Sequence, residues 1–342
     1  MIRDLEMNQI GLQEGANGHR LLLGKSGCGK TWSCYRMLEA TLDQGKTCLV
    51  FDYSGSFTSK ELIKGDFQKM EQTYSVAEKE ENEIFLYAGT QLSSVMAEAL
   101  MKVLSIGEYR QKNLLKKALG NLACNKADIT ITGIMSELED SVPLKNKDAE
   151  KQRDQLLSKL SGYSGINLVF REISLMTAEM KTYWKPMTII QLSRYRDSER
   201  WFLTALLTEL VWHEIKEGTY HADYIVYDEF QWMPLGNRSA LSGMLREGRK
   251  YGLGVWLASQ FLPAGKKDEK NTLLQVDTVL MFAQSEQSRT EAAKTIEYDA
   301  WREWVSPLSD LEIGEFVLKG HYTVNGGTTV WSKPIICKAE LK

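Results

Sequence analysis

Long apolar runs are missing from this sequence. Its most hydrophobic stretches, such as HADYIVYDEF and GLGVWLASQF, reach strand length and stop, short of the roughly 20 residues a membrane-crossing helix needs. No membrane span is predicted. The opening MIRDLEMNQIGLQEG carries acids and no apolar core, which argues against a signal peptide and export. A CxxC pair is also lacking: Cys28, Cys34, Cys48, Cys124 and Cys337 stand apart in apolar or loop contexts. That pattern suggests reduced thiols in a cytoplasmic protein rather than zinc ligands. Nor is there a charge excess. With 42 basic and 45 acidic side chains the formal net charge is -3, which argues against a surface coated in positive charge for nucleic acid but leaves room for a local basic channel. One basic segment, RQKNLLKKALGNLACNK at 110–126, has five cations and no acid; a solvated helix face is its plainer reading. Low-complexity stretches and repeats are absent as well.

What is present is a chain of 342 residues, 43% hydrophobic, enough for one large domain or a domain with an inserted subdomain. HRLLLG reads as a strand, a glycine-rich loop follows, TWSCYRMLEATLDQG reads as a helix ending at Gly45, and TCLVFDY as a second strand closing at Asp52. This is the unit that builds parallel sheets covered on both faces. From about Ser54 to Pro186 the chain is mostly polar and helical apart from IFLYA. The second half returns to alternation: MTIIQLS, ADYIVYDEF, LGVWLASQ and TVLMFAQS as strands, ERWFLTALLTELVWHEIKEG and RSALSGMLREGRKYG as helices. Such alternation favours a doubly wound sheet. Two extended runs around Asn325-Gly326-Gly327 predict a terminal hairpin.

GKSGCGKT, comprising Gly24, Lys25, Ser26, Gly27, Cys28, Gly29, Lys30 and Thr31, fits the phosphate-loop pattern and has a strand before it and a helix after. Glycines let backbone amides turn inward as an anion nest, and the helix N-terminus adds partial positive charge. Lys30 is placed to reach the outer phosphates, and Thr31 to offer its hydroxyl to Mg2+, a hard cation that takes oxygen ligands.

A phosphate loop alone serves kinases, GTPases and motors alike. The discriminating stretch is YIVYDEF, an apolar strand ending in Asp228 and Glu229. Asp228 fits a magnesium-holding acid and Glu229 a base for the attacking water, a pairing that favours ATP hydrolysis over transfer to a small substrate. The Asn-Lys-x-Asp stretch by which GTPases specify guanine follows no apolar strand here.

The residues beyond Glu229, MLREGRKYGLGVWLASQ, make the chain resemble the HerA and FtsK superfamily of ring-forming motor ATPases, which includes conjugation and secretion ATPases. Members are similar in a GKSGSGKT-like loop, a DE strand end, and a helix with an EGRKYG-like end leading into a strand that finishes in Ser-Gln. TIIQLSRYRDSERWFLTALLTELVW is similar to the family's strand and long helix before the DE strand, and LSDLEIGEFVLKG also matches. The likeness covers residues 20–52 and 187 to about 320. It implies an α/β fold: a RecA-like P-loop NTPase with a mainly parallel central sheet, helices on both faces, a helical insertion and a C-terminal β-hairpin. Residues 1–53 and 187–342 are then the ATPase core and 54–186 the mostly helical insertion.

The resemblance implies that Gln260, at a strand tip, bonds the γ-phosphate or the water; a polar strand cap is the plainer alternative. It also implies that Arg246 and Arg249 reach a neighbouring subunit's nucleotide as arginine fingers, against a plainer role complementing the helix dipole. Lys25 matches the family's loop. Cys28 stands where serine is usual, a change the backbone amide should tolerate, and Phe230 where a small residue is commoner. Only about nineteen residues precede the first predicted strand, too few for the N-terminal β-barrel of many HerA-like proteins. The implied activity is hydrolysis of ATP with Mg2+ by a cytoplasmic homo-oligomeric ring, a hexamer, that translocates double-stranded DNA, with a nuclease or other effector as candidate partner. Two alternatives stay open: a conjugation or secretion-type ATPase moving protein substrates, and an ATP-controlled switch that recruits an effector such as a nuclease.

Overall fold

Short apolar runs become strands because each can be buried on both faces at once. In the computed structural model, which describes residues 2–13, 17–64, 73–76, 84–140, 147–172, 186–262, 267–273 and 275–339, the strands are β1 (Ile2–Asp4), β2 (Ile10–Gln13), β3 (Arg20–Leu23), β4 (Cys48–Asp52), β5 (Thr73–Val76), β6 (Ile84–Tyr87), β7 (Val169–Glu172), β8 (Met187–Gln191), β9 (Tyr224–Tyr227), β10 (Gly254–Ser259), β11 (Thr278–Phe282), β12 (Glu315–Lys319), β13 (His321–Val324) and β14 (Ile335–Ala339). The main sheet runs β1-β14-β12-β11-β3-β10-β9-β4-β8-β5. It is parallel from β5 across to β11 and antiparallel from β11 to β1. The fold is α/β, with a mainly parallel central sheet.

Alternate residues of each strand feed two cores, as the two-residue period of a strand requires. Leu21, Leu23, Leu49, Phe51, Leu257 and Met281 lie in one apolar cluster. Leu22, Val50, Val226, Trp256 and Leu280 lie in the other. Helix Lys30–Asp43 packs on the second face through Cys34, Tyr35, Met37, Leu38 and Leu42. Helix Asp197–Glu217 covers the first and is buried nearly all round, which is expected of a helix enclosed between two layers. Its start is fixed by Glu199, whose side chain accepts from Arg196 N at 3.0 Å, and Gly218 in left-handed conformation ends it.

Helices Leu92–Val103, Tyr109–Cys124, Ile131–Asp140 and Lys147–Ser161 gather on the outer side of that long helix, beside a two-stranded parallel sheet of β6 and β7. Polar contacts pin the seam: Tyr87 Oη lies 2.9 Å from His213 Nδ1, and Lys102 pairs with Glu209 at 2.8 Å. Within 54–186, β5 extends the edge of the main sheet by pairing with β8.

Two features differ from the sequence-based reading. Strands β1 and β2 precede the first predicted one; they are short, only partly buried, and pair with β14 and β13 from the far end of the chain. The predicted terminal hairpin turns at Asn325 and Gly326, both at positive φ, and its arms meet at an antiparallel bridge between Tyr322 and Trp331. Beyond that bridge β13 goes to β2 and β14 to β12, because the sheet edges offer unpaired backbone groups. Among the described residues no helix is long and apolar enough to cross a membrane.

Candidate nucleotide site

β3 lies between β10 and β11, and its end is drawn to both neighbours: Gly24 N donates to Ser259 O at 3.2 Å and Lys25 N to Ala283 O at 2.8 Å. Gly27 and Gly29 then take φ of 76° and 99°, a region that suits glycine. A Cβ on Gly29 would stand 2.8 Å from Gly314 N, the amide that donates to Cys28 O at 2.9 Å. The loop thus rests on the turn that precedes β12. No backbone bond among the described residues uses the amides of Ser26, Gly27, Cys28 or Gly29, so the loop presents donors at the N-terminus of helix Lys30–Asp43. Lys30 Nζ folds back onto the carbonyls of Gly24 and Lys25, at 2.6 Å and 3.0 Å.

Facing the loop across a cavity of about 660 Å³ are Ser54, Ser56, Asp228, Glu229 and Gln260. β10 is inserted between the phosphate-loop strand and β9, and parallel pairing brings the ends of all three strands to one edge of the sheet. Asp228 is hydrogen-bonded by Ser54 Oγ. Burial, together with the nearby charges of Asp52 and Glu229, pushes its pKa up to about 7 despite the Ser54 bond. Asp52 is fully buried and accepts from the amides of Gly55, Ser56 and Phe57 at 2.9–3.0 Å. It shapes the loop that carries Ser54, and burial outweighs those bonds to raise its pKa to about 6.

Glu229 stands at φ 55°, an uncommon region for a residue with a side chain and one that tends to mark functional sites. Its Oε1 accepts from Gln260 Nε2 at 2.9 Å and its Oε2 from Gln231 Nε2. Chemically, the edge offers an anion nest, a lysine, the Thr31 hydroxyl, an acid destabilised by burial and a carboxylate held by two amides. These residues fit a magnesium nucleotide: the unbonded amides suit phosphate oxygens, and a cation would relieve the Asp228 and Asp52 pair.

Of the residues expected from the sequence, Ser26, Gly27, Gly29, Lys30, Thr31, Asp228, Glu229 and Gln260 line the one cavity. Gly24, Lys25 and Cys28 do not. Gly24 packs at the base of the loop against Phe282, Lys25 is exposed, and the Cys28 thiol is buried in the core under the loop, which raises its pKa. Arg246 is exposed and bonds Asn237 O at 2.6 Å. Arg249 is exposed just before β10. With six residues in β10, Arg249 lies about 20 Å along the strand from Gln260, at the opposite edge of the sheet. Neither arginine reaches this chain's own cavity. Ser54 and Gln231 escaped the sequence reading; their only local signal is proximity to Asp52 and to the DE pair. A larger cavity, about 910 Å³, lies between helix Leu92–Val103 and residues 233–241.

The family described as "Helicase HerA, central domain" matches residues 9–211 of the chain. No curated protein matches the sequence. Among solved structures, VirB4 of Thermoanaerobacter pseudethanolicus is similar with a TM-score of 0.65 at 13% identity, covering 99% of this chain and 95% of that one. The plasmid coupling protein TrwB in complex with the non-hydrolysable GTP analogue GDPNP gives 0.66 at 14% identity, over 96% and 86% of the two chains. TrwB in complex with ADP and Mg2+ gives 0.61 at 14% identity over the same shares. At these identities the likeness is one of fold.

Proposed function

The chain belongs to the HerA helicase central-domain family and is a P-loop ATPase, and from that premise we propose a ring-forming motor that couples ATP hydrolysis to translocation of double-stranded DNA. The observation that carries the reading is the meeting of Glu229, Gln260 and Asp228 with the phosphate loop around one cavity. Loop amides and Lys30 would bind the phosphates, with Lys30 leaving the carbonyls it now holds. Thr31 and Asp228 would hold Mg2+. The bound magnesium nucleotide supplies the cleavable phosphoanhydride and the cation that neutralises it. Glu229 takes a proton from the attacking water, and Gln260 orients that water or the γ-phosphate. Removing the base should cost about 10²- to 10⁴-fold in turnover.

The assignment of Arg246 and Arg249 as fingers depends on a second subunit, since neither lines its own cavity. Support for DNA comes from helix Tyr109–Cys124, where Lys116 and Lys117 are exposed; phosphate contacts of that kind weaken with salt. Arg110 on the same helix is paired with Asp148 and contributes less.

The test is ATP hydrolysis by wild type and Glu229→Gln, with and without linear double-stranded DNA, beside the native mass of each. DNA-stimulated turnover, an inert variant and an ATP-dependent ring support the motor. Turnover indifferent to DNA would move the reading to a protein substrate or to a nucleotide-controlled effector switch.

A further inference from the structure

We propose that Gln231 is a positioning residue that keeps the Glu229 carboxylate in line when Gln260 turns to the nucleotide. The inference rests on the proposed role of Glu229 as base. Both carboxylate oxygens are engaged, Oε1 by Gln260 and Oε2 by Gln231, but the two amides are not equivalent. Gln260 lines the cavity with Glu229, whereas Gln231 approaches from outside it. Turning Gln260 to the γ-phosphate takes its amide off Oε1 and leaves Gln231 as the contact that fixes the base.

Gln231 is itself anchored. Its Oε1 lies 2.6 Å from Ser259 Oγ, and Ser259 is fully buried at the end of β10. The same hydroxyl is 2.6 Å from Phe261 O and accepts from Phe261 N at 3.2 Å. Its one proton therefore serves Gln231 or Phe261 at a time. Ser259 O also accepts from Gly24 N at 3.2 Å. A continuous path thus runs from the base of the phosphate loop through Ser259 and Gln231 to Glu229. The backbone alone holds the base weakly. Glu229 sits at positive φ ahead of the short 3-10 turn Phe230–Trp232, whose bonds are Trp232 N to Glu229 O at 3.4 Å and Met233 N to Phe230 O at 2.8 Å. A glutamate side chain on such a turn has rotamer freedom to lose, and the amide clamp removes it.

The experiment compares wild type, Gln231→Met, Ser259→Ala and Glu229→Gln in steady-state ATP hydrolysis, ATPγS affinity and hydrogen exchange over residues 229–233. Gln231→Met should lower kcat by about 10- to 100-fold while KM and ATPγS affinity hold, and should speed exchange at Trp232 and Met233 in the ATPγS-bound protein. Ser259→Ala should move both readouts the same way by less. If Gln231→Met does not fold, Gln231→Glu keeps the size and the acceptor for Ser259 but removes the donor, and should lose kcat to the same extent. Wild-type kcat in the folded Gln231 variant, or a loss confined to KM, overturns the clamp. Hydrolysis by Glu229→Gln would overturn the base assignment and the clamp with it. An inert Glu229→Gln beside a fully active Gln231 variant would overturn the clamp alone.

Discussion

Two acids with raised pKa, one at the carboxyl edge of the sheet and one under the helical segment, separate a candidate site from a packing device. Asp228 is raised to about 7 and Glu214 to about 8, in both cases chiefly by burial. Glu214 is fully buried in helix Asp197–Glu217; its Oε1 accepts from the amides of Ala88 and Gly89, and its Oε2 has no hydrogen-bond partner among the described residues. It ties β6 to the long helix and faces protein on every side. Asp228 opens on a cavity with Lys30 and Thr31 on the far wall. A raised pKa marks desolvation in both places; what distinguishes Asp228 is a cation-accepting space beside unbonded amides.

That contrast can be broken most forcefully at the cavity. Lys30→Ala should lower ATP turnover by about 10²- to 10³-fold, read by phosphate release, whereas Glu214→Gln should leave turnover per folded molecule unchanged. An equal loss in both would erase the distinction. A second test concerns the helical segment. Leu119 is fully buried there, and Leu119→Ala should cost about 2–5 kcal/mol in urea unfolding with ATPγS affinity intact; a lost affinity would mean that the segment holds the cavity in shape.

The smallest effect is in the pH dependence of stability. The folded pKa of Glu214, about 8, is above its ordinary value of 4.5, so its contribution is full below pH 4.5 and is lost as pH rises toward 8. His19 works the other way. Burial holds it near 4 against an ordinary 6.5, so its contribution is full above pH 6.5 and is lost as pH falls toward 4. Glu214→Gln should make the fall in thermal stability between pH 4.5 and 8 shallower, with the raised Asp228 and Asp52 still titrating there, and leave the His19 limb; a profile identical to wild type would discount the seam carboxylate.

The phosphate loop, the DE strand end and the strand finishing in Ser-Gln were legible because each is a local signal: glycines at fixed spacing before a helix, or an apolar run closed by polar residues. The helical character of 92–161 was legible from its mostly polar, helix-favouring stretches. β1 and β2 were not. Each is only a few residues long and partly exposed, and its partners lie at the other end of the chain. Ser54 was equally hidden, since it meets Asp228 across a separation of 174 residues. For Gln231, 28 residues from Ser259, the adjoining DE pair gave proximity without a role.

By itself the sequence determined which glycine-rich backbone turns tightly ahead of a helix and which strands are buried on both faces, because both depend on neighbours within a few residues. Tertiary structure alone decided that β10 enters between β3 and β9, that Gln260 and Gln231 grip opposite oxygens of Glu229, and that Arg246 and Arg249 lie outside their own cavity. Those outcomes depend on the order in which distant strands close the sheet, and that order is fixed by packing over the whole chain.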